Sequence, residues 1–212
     1  MTPHFHPVAD RAVLVEFATA LDPAAHRTVL GLDAALAAQP FPGFVESVPA
    51  FVTLLVAFDP LISDHDAVEQ HLTMLLSAIT ETDFTPRTHD IPVIYDGADL
   101  DQVADLRGLT PQQVAVQHQA GRYQVAMYGF APGYAYLSGL PQALHLDRKP
   151  APVHNVPAGT VIIAGGMCLI TTLTMPTGWW RIGSTQAKIL TRDPAQPFAF
   201  AVGDHLRFRA SP

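Results

Sequence analysis

The sequence predicts an α+β protein in two parts, a small N-terminal α+β sandwich at residues 1–84 and a closed or nearly closed β-barrel at residues 91–212. Three observations predict this. In the first part, apolar residues at helical spacing alternate with short strand-type runs. In the second part, short apolar runs are separated by glycine and proline, which is typical of barrels. Between the two, Thr82 to Asp90 is polar and lacks periodicity, which indicates a domain boundary.

The N-terminal part has the predicted order β-α-β-β-α, which favours helices on one face of an antiparallel sheet. Strands are predicted at Ala12 to Phe17, Phe44 to Val48 and Phe51 to Phe58. Asp22 before Pro23 predicts the first helix start, because an Asp N-cap accepts from free backbone N–H groups and proline fits the first turn. Ser63 with Asp66 resembles a capping box and predicts the start of the second helix.

The C-terminal part begins with a predicted strand at Ile91 to Tyr95 and continues with two short helices. The first helix is predicted from Asp99 to Gly108, and the second from a Thr110 cap to Gln119. Further strands are predicted at Gln124 to Tyr128, Thr160 to Ala164, Cys168 to Thr174, Ala187 to Thr191 and Leu206 to Phe208. So many short strands indicate a barrel.

Composition limits the classes of partner. The 212-residue chain is 49% hydrophobic and 15% charged, which is typical of a packed globular protein. Its formal net charge of −7 argues against nucleic acid and anionic membranes as partners, since both attract basic surfaces. Cys168 is the only cysteine, which favours a reducing compartment without disulfides. We find no signal-peptide pattern and no apolar run near about 20 residues, so we expect a cytoplasmic protein.

The stretch from Tyr128 to Pro141 carries the strongest functional signal. Glycines and prolines, Pro132 among them, hold the aromatic residues Phe130, Tyr134 and Tyr136 in a loop that no regular element favours. Each tyrosine, including Tyr128, offers a flat apolar face and one hydroxyl, which suits a small polar ligand or a partner side chain. The alternative is that the tyrosines plug the end of the barrel.

Three further positions suggest chemistry. His154, with Asn155 beside it, is a candidate general base or ligand for an oxygen atom, or else an exposed loop histidine. The Gly165-Gly166 pair could present N–H groups to an anion, or form a hairpin turn. Arg181 beside two tryptophans is a candidate catalytic residue that could bind a carboxylate or phosphate, or stack on an indole.

Other signatures are weak or absent. The sequence has no phosphate-binding glycine loop of the usual nucleotide-binding kinds and no nucleophile elbow. Cys168 lies in an apolar run and is interpreted as an inert core thiol. His4 and His6 would share one face of a strand, but without a third ligand we predict a flexible tail and no metal site.

Together the motifs resemble the family of 5-oxoprolinase B subunits, also called allophanate hydrolase subunit 1 or the KipI type, which contains carboxyltransferase subdomains C and D. The motifs that carry the resemblance are Gly129 to Pro141, Val156 to Gly159, Ala164 to Gly166, Gly178-Trp179 with Ile182-Gly183, Asp10 to Phe17 and Leu54 to Pro60. The resemblance implies a cyclophilin-like barrel after the N-terminal α+β domain. It also implies a larger partner similar to the C subunit of 5-oxoprolinase. The implied reaction is ATP-dependent hydrolysis of 5-oxoproline or a related cyclic or urea-derived amide, such as allophanate. The implied ATP site is shared with the partner.

The sequence departs from the family pattern where arginines usually precede the Val-Pro-Ala-Gly motif. Here that run is Pro152 to Asn155, and Ser184 follows Ile182-Gly183 where arginine is typical. Each lost arginine removes a planar donor for phosphate or carboxylate. This leaves two alternatives to the enzyme subunit, namely a non-catalytic regulatory protein of the KipI type, such as a kinase inhibitor, and a small-ligand carrier.

Overall fold

The structure is a computed structural model that describes residues 3–79 and 86–211. It divides into two compact units, of which the first ends at Thr85 and the second begins at Pro86. The predicted boundary from Thr82 to Asp90 lies partly outside the described residues. Within the described ranges, no helix is both long and apolar enough to cross a membrane.

The first unit is an antiparallel sheet with two helices packed on it. The strands are β1 (His4–Val8), β2 (Ala12–Glu16), β3 (Phe44–Ala50) and β4 (Thr53–Phe58), and the helices are α1 (Pro23–Ala38) and α2 (His65–Ala78). The strand order is β1-β2-β4-β3. Alternate residues on the central strands, such as Val13 and Val15 of β2, are buried in one core with the apolar faces of both helices.

Two local predictions for this unit are wrong. The expected tail at His4 and His6 is strand β1, which pairs with β2 along its whole length, and His6 Nε2 lies 3.0 Å from Glu16 Oε2. The second helix is capped by Asp64, whose Oδ1 accepts from the Ala67 N–H at 2.9 Å, and Ser63 lies one residue outside the cap. By contrast, Asp22 caps α1 as predicted.

The second unit contains two α-helices, a short 3₁₀ helix and nine strands among its described residues. In chain order these are β5 (Thr88–Val93), α3 (Leu100–Arg107), α4 (Pro111–Gln119), β6 (Tyr123–Tyr128), β7 (Ala135–Ser138), the 3₁₀ helix Gln142–Leu144, β8 (Val153–Val156), β9 (Thr160–Ala164), β10 (Met167–Ile170), β11 (Met175–Thr177), β12 (Trp180–Ser184) and β13 (His205–Ala210). Both helices begin and end where predicted, and α4 has the full capping box formed by Thr110 and Gln113.

Seven of these strands form a closed barrel in the order β5-β13-β6-β7-β10-β9-β12. The β5–β13 pair is parallel, and the other neighbours are antiparallel. Closure occurs directly after β5, where Ile94 and Ser184 exchange two backbone hydrogen bonds of 2.9 and 2.8 Å. The α+β class with a C-terminal barrel is therefore confirmed. The predicted strand at Ala187 to Thr191 is wrong, since only an isolated bridge from Leu190 to Phe198 lies there.

Strand β9 is buried on both faces, which positions the candidate site. Val161 and Ile163 point into the barrel core, whereas Ile162 and Ala164 belong to a second, outer apolar cluster. Tyr134, Leu169 and Trp179 complete that outer cluster. Because a strand alternates its side chains, an all-apolar strand requires a cover on its outer face. The loop between β6 and β7 supplies part of that cover.

Candidate functional site

A cavity of about 120 Å³ lies on the outer face of the barrel against β9 and β10. Four aromatic rings line it, those of Phe130, Tyr134, Tyr136 and Trp179, together with Ile162 and Leu169. Its polar lining comes from Arg148 and Thr177, next to Pro176 and Gly178. Three of the aromatic residues predicted to bind substrate are therefore brought together around one space.

The loop before β7 is held in an uncommon backbone conformation. Phe130 has φ 70°, a region that large L-residues rarely adopt, and Gly133 has φ 74°. A Cβ on Gly133 would lie 2.8 Å from Leu190 Cδ2, a flexible side-chain end, so the positive φ is the stronger reason for glycine here. The predicted residue Pro132 is exposed, and its carbonyl accepts a 2.6 Å hydrogen bond from Thr172 Oγ1. Pro132 thus shapes the loop and does not line the cavity.

Tyr134 is the least typical side chain of the cavity. The residue is only 4% exposed, and its hydroxyl is buried without a hydrogen-bond partner among the described residues. Leaving such a group unpaired costs about 1–3 kcal/mol in proteins. Burial, and then the neighbouring Tyr136, raises the pKa of Tyr134 to about 12, so the group is a neutral donor at physiological pH. Since Tyr134 belongs to the outer cluster, it does not plug the barrel.

The cations beside the two tryptophans come from a segment that the sequence reasoning did not select. Arg148 lies with its guanidinium carbon 5.8 Å from the centre of the Trp179 ring, and Lys149 Nζ lies 5.1 Å from that of Trp180. The Tyr136 ring meets Trp179 edge-on at 5.9 Å. The only signal for Arg148 in the sequence is that it neighbours one of the two lysines, which is too weak to identify a site.

Arg181 binds a carboxylate, one of its predicted options, but that carboxylate belongs to Asp99 of the same chain. Its guanidinium forms a fork with the Asp99 carboxylate, with distances of 2.7 and 2.8 Å, and its backbone N–H donates to the same carboxylate at 2.9 Å. Lys149 Nζ lies 2.6 Å from Asp99 Oδ2. Burial alone would raise the pKa of Asp99, but the hydrogen bonds from Arg181 and Lys149 outweigh it and lower the pKa to about 2. Arg181 therefore holds a buried carboxylate and does not line the aromatic cavity.

His154 and Asn155 are exposed on β8 and do not line the aromatic cavity. Strand β8 pairs with β11, whose residues Pro176 and Thr177 line the aromatic cavity. The predicted general base is thus one strand away from the cavity lining. Asn155 has φ 55°, which is tolerated better by asparagine than by most residues.

The remaining predicted binding residues have structural partners. The Tyr128 hydroxyl donates to the Phe200 carbonyl at 2.8 Å, and its ring stacks on Phe198 at 4.6 Å. Gly165 and Gly166 form the turn between β9 and β10, with φ 55° at Gly165. The Gly165 N–H donates to the Leu146 carbonyl at 2.7 Å, so this donor is not available to an anion.

A second cavity has a volume of about 250 Å³. The sequence did not indicate that its lining residues lie together. Ala158 and Gly159 of the Val-Pro-Ala-Gly motif lie there with three threonines, Gln186 and Lys188. The threonine hydroxyls already donate to carbonyls, Thr171 to Pro157, Thr172 to Pro132 and Thr185 to Pro92, each at 2.6 Å. These hydroxyls therefore hold the loops together and are not free donors.

A buried polar chain crosses the barrel interior. His118 Nδ1 lies 2.9 Å from the Tyr95 hydroxyl, and His118 Nε2 lies 3.3 Å from Cys168 Sγ. His118 and Cys168 are completely buried. Burial lowers the pKa of His118 to about 3 and raises the pKa of the Cys168 thiol. The shifts favour the neutral form of both groups and not a thiolate–imidazolium pair. Cys168 lies in the core as predicted.

Comparison with known proteins places these features in a family. The model of the carboxyltransferase domain, subdomain C and D, matches residues 3–200. The chain belongs to this family. One curated relative of this chain is the B subunit of 5-oxoprolinase from Bacillus subtilis (strain 168), which is 32% identical over 215 residues. The aligned residues span 95% of this chain and 90% of the relative. The protein of the same name from Haemophilus influenzae is 35% identical over 167 residues, which span 77% of this chain and 75% of the relative.

Solved structures carry the same fold in chains of different length. TTHA0988 superposes with a TM-score of 0.86 at 33% identity, and the match spans 96% of this chain but only 40% of TTHA0988. PH0987 of Pyrococcus horikoshii matches over 97% of its length at 31% identity, with a TM-score of 0.57. The urea amidolyase of K. lactis has a TM-score of 0.78 at 16% identity, with this chain spanning 15% of it, and that likeness concerns the fold alone.

Proposed function

We propose that this chain is one subunit of a hetero-oligomeric, ATP-dependent amide hydrolase that opens 5-oxoproline or a related cyclic or urea-derived amide. One observation carries the proposal: the chain matches a protein named as the B subunit of 5-oxoprolinase over 90% of that protein's length. The match spans 95% of this chain and therefore includes both compact units. A larger protein, similar to the C subunit of 5-oxoprolinase, is the proposed partner.

Solved structures with the same fold support a partner. The same fold makes up 40% of TTHA0988 and 15% of the K. lactis urea amidolyase, so it is found covalently joined to further domains. A protein with this fold can reach a comparable arrangement by association with a second protein. The aromatic ring of Phe130, 75% exposed beside the cavity, is suited to contact such a partner.

The described residues do not fit a nucleotide by themselves. A nucleoside triphosphate needs several donors or cations along its phosphates. The larger of the two cavities in the second unit offers one cation, Lys188, and threonine hydroxyls that already donate elsewhere. The smaller cavity also has one cation, Arg148. A cavity of about 360 Å³ in the first unit is lined by Asp66, Glu69, Gln70 and Thr73, without a cation. We therefore place most of the ATP contacts on the partner and assign no reaction step on this chain to the nucleotide.

The role that remains for this chain is to bind and orient the amide. The aromatic cavity offers mostly apolar walls to a small ring, and the Tyr134 hydroxyl is a neutral donor within its wall. Arg181 is already paired with Asp99, so we assign it no chemical step. His154 can act only from the exposed strand next to the cavity lining, where a partner could complete a site.

The test is ATP-dependent release of glutamate from 5-oxoproline by this chain co-expressed with the products of its neighbouring subunit genes. Turnover that disappears when this chain is omitted supports the proposal. A complex that assembles but does not turn over 5-oxoproline, allophanate or related cyclic amides contradicts it. Tyr134→Phe and His154→Ala, with Arg207→Ala as an exposed control on β13, then separate the cavity from the exposed strand.

A non-catalytic regulatory protein of the KipI type is the second candidate. The observation that favours it is the lining of the aromatic cavity, where the titratable side chains are two tyrosines and Arg148, without a carboxylate, imidazole or thiol. Recovery of a kinase, and not of a partner similar to the C subunit of 5-oxoprolinase, in pull-downs with the native chain would favour this candidate over the enzyme subunit.

A further inference from the structure

The aromatic cavity is sized for one small ring. Its volume is about 120 Å³, and a cavity of roughly 150 Å³ in another protein holds benzene. Its walls are rings and branched aliphatic side chains, which favour a flat or cyclic body over a flexible polar chain. A nucleotide, a sugar chain or a peptide segment exceeds this space.

The charge at the cavity selects an anion. Arg148 is exposed, lines the cavity and has no carboxylate within ion-pair distance among the described residues. The neighbouring cations differ, because Lys149 and Arg181 both contact Asp99. Arg148 is therefore the cation that is available to a ligand, and its planar fork matches a carboxylate. One cation and no acidic lining residue favour a single negative charge.

The Tyr134 hydroxyl supplies a second polar contact. It is buried in the cavity wall and lacks a partner among the described residues, so a ligand acceptor that reaches it relieves an unsatisfied donor. The ring of Phe130 lies 5.8 Å from that of Tyr134 and is itself exposed. Phe130 thus lies beside Tyr134 at the exposed side of the cavity.

We infer that this cavity binds a small cyclic monocarboxylic acid, with its carboxylate on Arg148, its ring against Trp179 and a ring carbonyl accepting from Tyr134. The choice of a lactam acid such as 5-oxoproline rests on the proposed function. The choice of a ring with one carboxylate rests on the geometry of the cavity. Arg148 is then the specificity-determining residue that separates lactam acids from neutral lactams.

The test measures binding of three probes to the full chain by calorimetry, with tryptophan fluorescence as a second readout because Trp179 lines the cavity. The probes are 5-oxoproline, cyclopentanecarboxylate, which lacks the ring amide, and 2-pyrrolidinone, which lacks the carboxylate. Both acids are expected to bind at least about tenfold more tightly than 2-pyrrolidinone, since a charge-assisted contact is lost in the neutral ring. Equal binding of all three probes, or binding of none, overturns the inference.

Two variants assign the contacts. Arg148→Gln is expected to weaken both acids by about tenfold or more and to leave 2-pyrrolidinone unchanged, while Arg207→Gln, an exposed arginine on β13, changes nothing. Tyr134→Phe is expected to weaken 5-oxoproline and not cyclopentanecarboxylate, which has no ring carbonyl. Unchanged affinity of both acids for Arg148→Gln overturns the inference, and the exposed position of Arg148 makes misfolding of that variant a poor explanation.

Two outcomes distinguish the cavity assignment from the proposed function. A complex that hydrolyses 5-oxoproline with the same KM after Arg148→Gln supports the function and overturns the cavity assignment. Acid binding that depends on Arg148, in a chain whose complexes never hydrolyse 5-oxoproline, supports the cavity assignment and contradicts the function.

Discussion

The guanidinium of Arg181 donates to the Asp99 carboxylate from Nε at 2.7 Å and from Nη2 at 2.8 Å. Asp99 stands directly before α3, yet its side chain caps no helical N–H, because it is taken by Arg181 and Lys149. The pair thereby joins the start of α3 to strand β12. Asp99 is 4% exposed, so its charge has little access to water and depends on these partners.

Arg181→Ala should destabilise the second unit by about 2–4 kcal/mol, because it leaves the buried Asp99 carboxylate with Lys149 as its remaining cation. Arg181→Lys should recover only part of the loss, since an ammonium cannot form the fork. Urea denaturation followed by tryptophan fluorescence measures both, with Arg207→Ala as the exposed control. A loss as small as that of the control would show that the pair is unimportant for stability.

Local signals in the sequence predicted what is local in the structure. The caps at Asp22 and Thr110 and the stop at Gly108 depend on residues within one turn, and the structure has each of them. Strands β7 and β12 were missed because they lie among glycines and aromatics, and β8 and β11 because they lie among prolines. The extended backbone of β7 and β12 comes from barrel neighbours that are distant in the chain.

The candidate site shows the same division. The loop with Phe130, Tyr134 and Tyr136 could be found in the sequence, because glycine and proline mark it and aromatics fill it. The roles of Arg148 and Arg181 could not be found there. Asp99 and Arg181 are 82 residues apart in the chain, and no local pattern encodes such a contact. The sequence identified Arg181 as a candidate donor to a carboxylate. It did not show that the carboxylate is that of Asp99.

Acidification should destabilise the second unit through His118. Burial lowers its pKa in the folded state to about 3, below the ordinary value of 6.5, so the unfolded chain takes up a proton that the folded chain excludes. The stabilisation is therefore complete above pH 6.5 and is lost as pH falls from 6.5 towards 3, by up to about 1.4 kcal/mol per pH unit.

The measurement for His118 is the free energy of unfolding in urea at pH 7.5, 6.0 and 5.0, compared between the native chain and His118→Gln. The native chain should lose more stability with acid than the variant, because glutamine does not titrate. Parallel curves for the two proteins would mean that His118 does not carry the buried neutral imidazole described here.

Cys168 should be unreactive in the folded protein. It is fully buried, and burial raises the pKa of its thiol, so both access and thiolate are lacking. With Ellman's reagent we expect no release from the native chain and one equivalent in guanidinium, since the sequence has a single cysteine. Gln112→Cys in a Cys168→Ala chain places a thiol at an exposed position of α4 and should react at once. Rapid reaction of native Cys168 would contradict the buried position.

Gly139→Ala should destabilise the protein far more than Gly108→Ala, although both glycines have positive φ. At Gly139, with φ 93°, a Cβ would overlap the backbone carbonyl oxygen of Arg122, which cannot move aside like a flexible side chain. At Gly108, with φ 65°, a Cβ meets nothing within 4 Å, so alanine there costs only the conformational strain of about 1 kcal/mol. Thermal denaturation of the two variants separates steric overlap from strain. Equal shifts in Tm would show that the approach of Gly139 to Arg122 is not what requires glycine in this motif.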